Sequence, residues 1–317
     1  METLLTGGAP SRRGSFVVAK PAAVLLILST MRIGPAVAGV DVWTNEGPEG
    51  AQISEIAVHP GDPDTVYVGT NGAGVFKSTD AGATWTAARE GLGHTQIDRI
   101  VIDPVDTQTI YAVTATTNAF PGRLFKSTDA GASWDTADDG LSMAPFSLAV
   151  DAHNPGTVYA GVPDRDDGGV FKSVDGAAIW VRIFGETPQE RDFSSIALDP
   201  ADSQIIYDST RAGLRRTING GKSWDPVGNG LPFATGVLSF AFDPLDTRIA
   251  YAGGSSGLGQ RGVYRSGDQG ENWSPTETTE AASVNDLFAV SGVSGALYGR
   301  TSDGVIKTTD AGSVGIS

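Results

Sequence analysis

Two short segments of the sequence concentrate the acidic side chains that could do chemistry. Residues 163–168 contain Asp164, Asp166 and Asp167 together with Arg165, and residues 184–192 contain Glu186, Glu190 and Asp192. Glycoside hydrolysis requires two carboxyl groups about 5–9 Å apart, so Asp164, Asp166 and Asp192 are catalytic candidates and the whole set is a candidate binding group. A chain rich in acids also carries solvated acidic loops, and the sequence leaves both interpretations open.

The remaining chemistry-bearing residue types are sparse. Asp164, Asp166 and Asp167 offer oxygen ligands of the kind that Ca²⁺ prefers, but their spacing does not match an EF-hand loop. The three histidines, His59, His94 and His153, form no Ser-His-Asp pattern and no zinc-ligand spacing. The chain has no cysteine, which excludes disulfides and thiol chemistry. We therefore predict no metal and no cofactor.

A repeated hairpin must position the acidic segments. The run GVFKSTDAGATW at residues 74–85 returns as LFKSTDAGASW at residues 124–134, and in altered form around Trp180, Trp224 and Trp273. The apolar residues predict a short strand. The Asp accepts backbone hydrogen bonds in the turn that follows, the Gly supplies a positive φ, and the Trp packs back over the turn.

The hairpin turn is predicted to be structural in every copy. Its residues are Ser78, Asp80, Gly82 and Trp85; Ser127, Asp129, Gly131 and Trp134; Ser173, Asp175 and Trp180; Asn219, Gly221 and Trp224; Ser266, Asp268, Gly270 and Trp273; and Asp310 with Gly312. The pattern S-x-D-x-G-x-[T/S]-W resembles the Asp-box, or BNR, repeat. That repeat occurs in sialidases, xyloglucan-cleaving glycoside hydrolases, sortilin-type receptors and photosystem II assembly factors, and the resemblance implies a β-propeller.

A second repeat sets the number of units. An apolar run such as Ile56-Ala57-Val58, a turn, and a strand carrying a Tyr recur six times, and the tyrosines stand at positions 67, 111, 159, 207, 251 and 298. With the hairpin, each unit has four short strands, here called a to d, as in a propeller blade. We predict an all-β, single six-bladed propeller over residues 40–317, closed by an N-terminal strand at residues 40–46 that carries Trp43. A truncated seven-bladed ring is the alternative.

Strand polarity sorts the loops between two faces of such a ring. The a–b turns and the c–d hairpin turns share one face, and the b–c and d–a loops share the other, where the units differ most. Both acidic segments fall on this second face, and variable loops on a rigid scaffold are where function usually lies. The basic residues at one strand c register are predicted to face water or to pair with the Asp-rich turns, and they are Lys77, Lys126, Lys172, Arg216, Arg265 and Lys307.

Residues 1–39 are predicted to be a signal peptide or leader. Arg12 and Arg13 precede an apolar run and the small residues Ala36-Val37-Ala38, the layout of a Sec or twin-arginine export signal. We expect a secreted or periplasmic protein, monomeric and without a membrane span in the mature chain. The net charge of −15 argues against a nucleic-acid partner.

These features favour a non-catalytic binding or assembly module whose ligand is a carbohydrate or a protein. A glycoside hydrolase of the xyloglucan-cleaving type, using the loop carboxylates, is the alternative, and a photosystem-type assembly factor is a third hypothesis. The resemblance to sialidases would also require an Arg-Ile-Pro signature before the first hairpin. Arg182-Ile183-Phe184 is neither that motif nor in that place, which argues against sialidase activity.

Overall fold

The computed structural model describes residues 47–118, 121–191, 193–210, 213–232, 237–255, 261–276, 283–290, 292–301 and 304–310. These residues form six antiparallel sheets, each with its strands in chain order along the sheet. In the first five sheets the four strands are a to d of one repeat, and the sixth sheet contains strands a to c. The chain is therefore an all-β, six-bladed propeller, as predicted from the repeats.

The strands of the six blades have the following bounds. Blade 1 has β1 (Ile53–Val58), β2 (Val66–Thr70), β3 (Val75–Ser78) and β4 (Thr86–Ala87), and blade 2 has β5 (Ile97–Ile102), β6 (Ile110–Thr114), β7 (Leu124–Ser127) and β8 (Asp135–Thr136). Blade 3 has β9 (Ser147–Val150), β10 (Val158–Val162), β11 (Gly169–Ser173) and β12 (Val181–Phe184), and blade 4 has β13 (Phe193–Leu198), β14 (Ile206–Thr210), β15 (Gly213–Thr217) and β16 (Asp225–Pro226). Blade 5 has β17 (Val237–Phe242), β18 (Ala250–Ser255), β19 (Arg261–Ser266) and β20 (Ser274–Pro275), and blade 6 has β21 (Val284–Ala289), β22 (Leu297–Thr301) and β23 (Gly304–Thr308).

One helical turn interrupts the strands. It is α1 (Pro188–Arg191), in the loop between blades 3 and 4. Within the described ranges, no helix has the length and apolar character needed to cross a membrane. The predicted closing strand at residues 40–46, with Trp43, and Gly312 in the last hairpin turn lie outside the described residues.

The hydrophobic core lies between neighbouring blades. Strand a of each blade packs against strand a of the next, from β1 and β5 through to β17 and β21. The tyrosines of strand b are the largest fully buried side chains of blades 1 to 5, at 1% exposure or less: Tyr67, Tyr111, Tyr159, Tyr207 and Tyr251. These five tyrosines are therefore core residues. Burial of such apolar area is the main stabilising term of the fold.

Each hairpin turn is held by its own side chains. Ser78 Oγ donates to Asp80 Oδ1 (2.7 Å) and accepts from the N–H of Gly82 (2.8 Å). Asp80 also accepts from Thr84, through the backbone N–H (2.8 Å) and the hydroxyl (2.6 Å). The turns around Asp129, Asp175, Asn219 and Asp268 repeat this pattern. The turn is therefore encoded locally, within seven residues.

Blades 1 and 2 also contact the hairpin turn of the blade that follows. Tyr67 Oη donates to the carbonyl of Ala130 (2.9 Å) and Lys77 Nζ lies 3.4 Å from the same carbonyl. Lys126 Nζ donates to the carbonyl of Gly176 (2.9 Å). Strand c lysines also lie over strand b tyrosine rings, at 5.3 Å from Lys77 Nζ to the Tyr67 centre. Lys77 and Lys126 therefore contact the neighbouring Asp-rich turns, one of the two predicted environments, through backbone carbonyls and not through Asp side chains.

A β-bulge occurs near the start of strand a in five of the blades. The pairing with strand b shifts by one residue at Ser54, Asp98, Ser194, Leu238 and Asn285. In blade 3, Phe146 stands at the same place, directly before β9. A bulge redirects a side chain out of the regular alternation of a strand. The bulge residues lie at the end of strand a that adjoins the d–a loops, on the variable face of the ring.

Candidate functional site

A cavity of about 450 Å³ opens on the variable face between blades 1, 2 and 3. The bulge residues Ser54 and Asp98 line it together with Phe146, which stands at the equivalent place in blade 3. The b–c and d–a loops add Thr116, Met143 and Pro163. Its volume falls in the range of small-ligand pockets. The cavity is therefore where the rigid strand ends and the variable loops meet.

Of the two ionisable side chains that line the cavity, Asp98 is the one available to bind a ligand. Within the described chain its carboxylate makes no hydrogen bond and no ion pair, although it lines the cavity. Desolvation by the surrounding walls raises the pKa of Asp98, and the neighbouring charge of Arg99 offsets this only in part. An exposed carboxylate at a cavity, with no partner among the described residues, favours a ligand that donates hydrogen bonds or carries a positive charge.

Arg99 lies beside Asp98 but is directed to other partners. Its Nη1 donates to the backbone carbonyl of Asp98 (3.1 Å) and lies 3.8 Å from Oε2 of Glu55, which is 1% exposed. Its guanidinium carbon is 5.4 Å from the centre of the Phe146 ring. A buried carboxylate requires a compensating charge, so Arg99 neutralises Glu55 across the interface of blades 1 and 2.

The predicted acidic residues of 163–168 form a self-supported turn at the rim of this cavity. Asp164 Oδ1 accepts from the N–H of Asp166 (3.0 Å), and the Asp164 carbonyl accepts from the N–H of Gly168 (2.6 Å). Asp167 forms an exposed ion pair with Arg182 (2.9 Å) on strand β12. Arg165 belongs to the same turn. This turn begins at Pro163, which lines the cavity.

The acidic residues of 184–192 lie one blade interface further on. Glu190 Oε2 accepts from the N–H groups of Glu186 (3.2 Å) and Thr187 (3.0 Å), while its Oε1 pairs with Arg215 (2.9 Å). Glu190 thus holds its own loop and joins it to blade 4. Asp192 lies outside the described residues. The roles of these residues in binding or catalysis remain predictions.

Behind Glu190 lies a buried charged cluster that the sequence did not reveal. Asp208 on β14 is fully buried, pairs across the sheet with Arg215, and has no hydrogen bond to either carboxylate oxygen in the described chain. Burial raises the pKa of Asp208 well above its ordinary value, an effect that Arg215 opposes and Glu190 reinforces. Blade 4 thus contains a three-charge cluster of Asp208, Arg215 and Glu190.

Sequence reasoning missed Asp98, Arg99, Phe146 and Asp208. Asp98 and Phe146 precede an apolar run by two residues, the position of Ser54, Leu238 and Asn285 in other units. Asp208 follows the strand b tyrosine, where the other units have Val or Ala or Gly. At these two positions the residue type differs from that of the other units, and this difference was the signal in the sequence that could have identified the residues. Among the described residues, no group of three His, Cys, Asp or Glu side chains is arranged to hold a metal ion.

Comparison with known proteins places this architecture among propellers of two kinds. No family model matches the chain. It is 28% identical over 185 residues to a xyloglucanase of Hypocrea jecorina (strain QM6a), a match that covers 54% of this chain and 17% of the relative.

Among solved structures, an ancestral GH74 enzyme matches with a TM-score of 0.65 at 19% identity, over 83% of this chain and 37% of that one. The GH74 enzyme of Niastella koreensis matches with a TM-score of 0.63 at 18% identity, over 78% of this chain and 40% of that one. YCF48 from Cyanidioschyzon merolae matches with a TM-score of 0.52 at 17% identity, over 83% of this chain and 97% of that one. At these identities the similarity shows the fold, and the chain spans less than half the length of these two GH74 enzymes.

Proposed function

We propose that this propeller is a non-catalytic binding module that recognises a carbohydrate or protein ligand in the cavity on its variable face. The observation that carries the proposal is the cavity itself, which is lined both by the exposed carboxylate of Asp98, without a partner among the described residues, and by the half-exposed ring of Phe146. Convergent polar groups in an otherwise apolar pocket are the usual make-up of a ligand site.

The contacts of the acidic loops support binding over catalysis. Asp167 is paired with Arg182, and Glu190 with Arg215, so both carboxylates stabilise loop structure. Asp164 accepts hydrogen bonds within its own turn. A catalytic pair would need one carboxyl with a raised pKa facing a second carboxylate across the substrate.

A glycoside hydrolase is the second candidate, and one observation favours it. The raised pKa of Asp98 is a property of a general acid, and its carboxyl lines a cavity large enough for a sugar. The loop carboxylates Asp164, Asp166 and Asp192 are the candidates for its partner. The similarity to a curated xyloglucanase over 54% of the chain is consistent with this alternative.

Two assays on the full chain separate the proposals. Binding is measured on glycan arrays and peptide arrays, and hydrolysis as reducing-end release from xyloglucan, β-glucans and sialosides. We expect array binding that Phe146→Ala abolishes and that Asp135→Asn, on the outer strand β8, leaves unchanged, with no release of reducing ends. Release that disappears in Asp98→Asn or Asp164→Asn would establish the hydrolase and refute the binding module.

Export and oligomeric state form a separate part of the proposal. We propose that the protein is exported after removal of residues 1–39 and is a monomer. N-terminal sequencing of the protein recovered outside the cytoplasm and its mass by light scattering test these two points. An N-terminus upstream of residue 30 or a dimer mass would contradict them.

A further inference from the structure

We propose that the cavity between blades 1, 2 and 3 binds a lysine or arginine side chain presented by a protein partner, with Asp98 as its counter-ion. This inference rests on the proposed function and names the ligand chemistry of the same site. It follows from the charges that line the cavity, from the shape of its apolar wall and from the acidic rim.

Asp98 and Arg99 are the ionisable residues that line the described cavity. Glu55 and Asp98 contribute two carboxylates, and Arg99 contributes one guanidinium. Arg99 compensates the buried Glu55, whose carboxylate lies 3.8 Å away. The Asp98 carboxylate is therefore left facing the cavity without an ion pair in the described structure. A ligand anion would be repelled here, whereas a cation would restore local neutrality.

The apolar part of the cavity lining suits the alkyl stem of a long basic side chain. Met143, Pro145 and Pro163 supply apolar surface, and Phe146 keeps 47% of its area exposed although Arg99 lies over its ring. Lysine and arginine bury their methylene groups against such surface while the charged group reaches a polar partner. The exposed part of the Phe146 ring also attracts a cation.

Both the rim of the cavity and the molecule as a whole carry negative charge. The turn that begins at Pro163 carries Asp164, Asp166 and Asp167, which are opposed by Arg165 in the same turn and by Arg182, the ion-pair partner of Asp167. The net charge of the chain is −15. Such a field increases the rate at which a basic segment reaches the cavity. The cavity volume of about 450 Å³ exceeds one side chain and leaves room for the flanking residues of a peptide.

The test uses the full chain and a positional-scanning library of acetylated, amidated heptapeptides, read by fluorescence polarisation. We expect the selected peptides to keep lysine or arginine at one position. Replacing that residue by norleucine or citrulline should weaken binding about tenfold or more, since the lost partner of a partly buried charge pair dominates dissociation. Asp98→Asn should weaken the basic peptide to the same degree and leave the norleucine peptide unaffected, which identifies the two groups as partners.

Two further variants keep the result interpretable. Asp225→Asn makes the same charge change on the exposed outer strand β16 and should bind like the wild type. Phe146→Leu retains an apolar side chain and should lose part of the affinity for both peptides. Because Asp98 occupies a bulge and not a ladder position, Asp98→Asn should keep the wild-type circular dichroism and melting temperature.

Several outcomes would overturn the inference. They are selection of peptides without a basic residue, equal binding of the basic peptide by wild type and Asp98→Asn, and absence of peptide binding by the folded protein. Binding of a neutral oligosaccharide that requires Phe146 would refute the cationic ligand and leave the binding module standing. Reducing-end release would refute both.

Discussion

Replacing Asp208 by alanine is expected to stabilise this protein, although aspartate is an ionisable residue and this one lies beside an arginine. Alanine occupies the same register in blades 2, 3 and 5, at Ala112, Ala160 and Ala252, so the sheet accepts it. The substitution removes two carboxylate oxygens that are buried and have no hydrogen bond in the described structure. Arg215 keeps its ion pair with Glu190 at 2.9 Å.

The size of the effect follows from the desolvation of Asp208. A buried polar group without a partner costs about 1–3 kcal/mol, and the attraction of Arg215 returns part of that. We therefore expect Asp208→Ala to raise the free energy of unfolding by about 1–2 kcal/mol near pH 8. For a domain of this size that corresponds to a melting temperature higher by roughly 2–6 °C.

The sign of the pH dependence provides a second check. Because burial raises the pKa of Asp208, the folded protein holds this proton more tightly than the unfolded chain does. The wild type is therefore most stable, relative to the variant, below the unfolded pKa of about 4, and it loses that stability as pH rises toward the folded pKa. The advantage of Asp208→Ala should be small at pH 4 and should grow toward pH 8. Arg215 and Glu190 are the charged groups that face Asp208.

The assay is differential scanning calorimetry of wild type and Asp208→Ala from pH 4 to pH 9. Asp225→Ala, the same chemical change on the exposed strand β16, is the matched control and should shift the melting temperature by less than about 1 °C. A variant less stable than the wild type at every pH would refute the reasoning. It would mean that Asp208 is ionised and that its pairing with Arg215 outweighs its desolvation.

Three further predictions concern the scaffold. Trp134→Phe should lower the free energy of unfolding by about 1–2 kcal/mol in denaturant titrations, since Trp134 Nε1 donates to the carbonyl of Ala88 (3.0 Å); equal stability would contradict this. Gly91→Ala should cost about 2 kcal/mol or more, because a Cβ would lie 2.1 Å from the Trp134 carbonyl oxygen, whereas Gly72→Ala, with a positive φ and open space, should cost less. The hydrogen bonds of Ser133 and Ser127 lower the pKa of Asp129 to about 2, so the stability it contributes should be present above about pH 4 and lost as pH falls toward 2; carbon NMR titration should show this pKa rise in Ser133→Ala.

The scaffold could be predicted from sequence because its interactions are local and repeated. Ser127, Asp129 and Ser133 complete one turn within seven residues, and five other copies carry related residues at the same spacing. The blade number followed from the strand b tyrosines. The altered hairpin turn of blade 3 keeps the same form, since Ala177 takes the position of the turn glycine at φ 70°.

The candidate site could not be predicted in the same way, because its partners come from different units. Arg99 pairs with Glu55, which lies 44 residues earlier in the preceding blade, and Phe146 comes from the following blade. The bulge at Asp98 also breaks the alternation by which a sequence assigns side chains to a face. Acidic loops were visible as composition, but their contacts with Arg182 and Arg215 depended on how strands pair.

The contacts from one blade to the hairpin turn of the next all point the same way along the chain. Tyr67 and Lys77 reach Ala130, Lys126 reaches Gly176, and Tyr207 reaches Gln269. Blades 1, 2 and 4 thus donate to the hairpin turn of the blade that follows, and Trp134 and Trp180 in the turns of blades 2 and 3 donate back to Ala88 and Ala137 of the blade before, so these hairpin turns are joined to the preceding blade. In a nearest-neighbour description of its folding, the coupling energy belongs to the junctions, so damage to one hairpin turn weakens the preceding blade more than the following one.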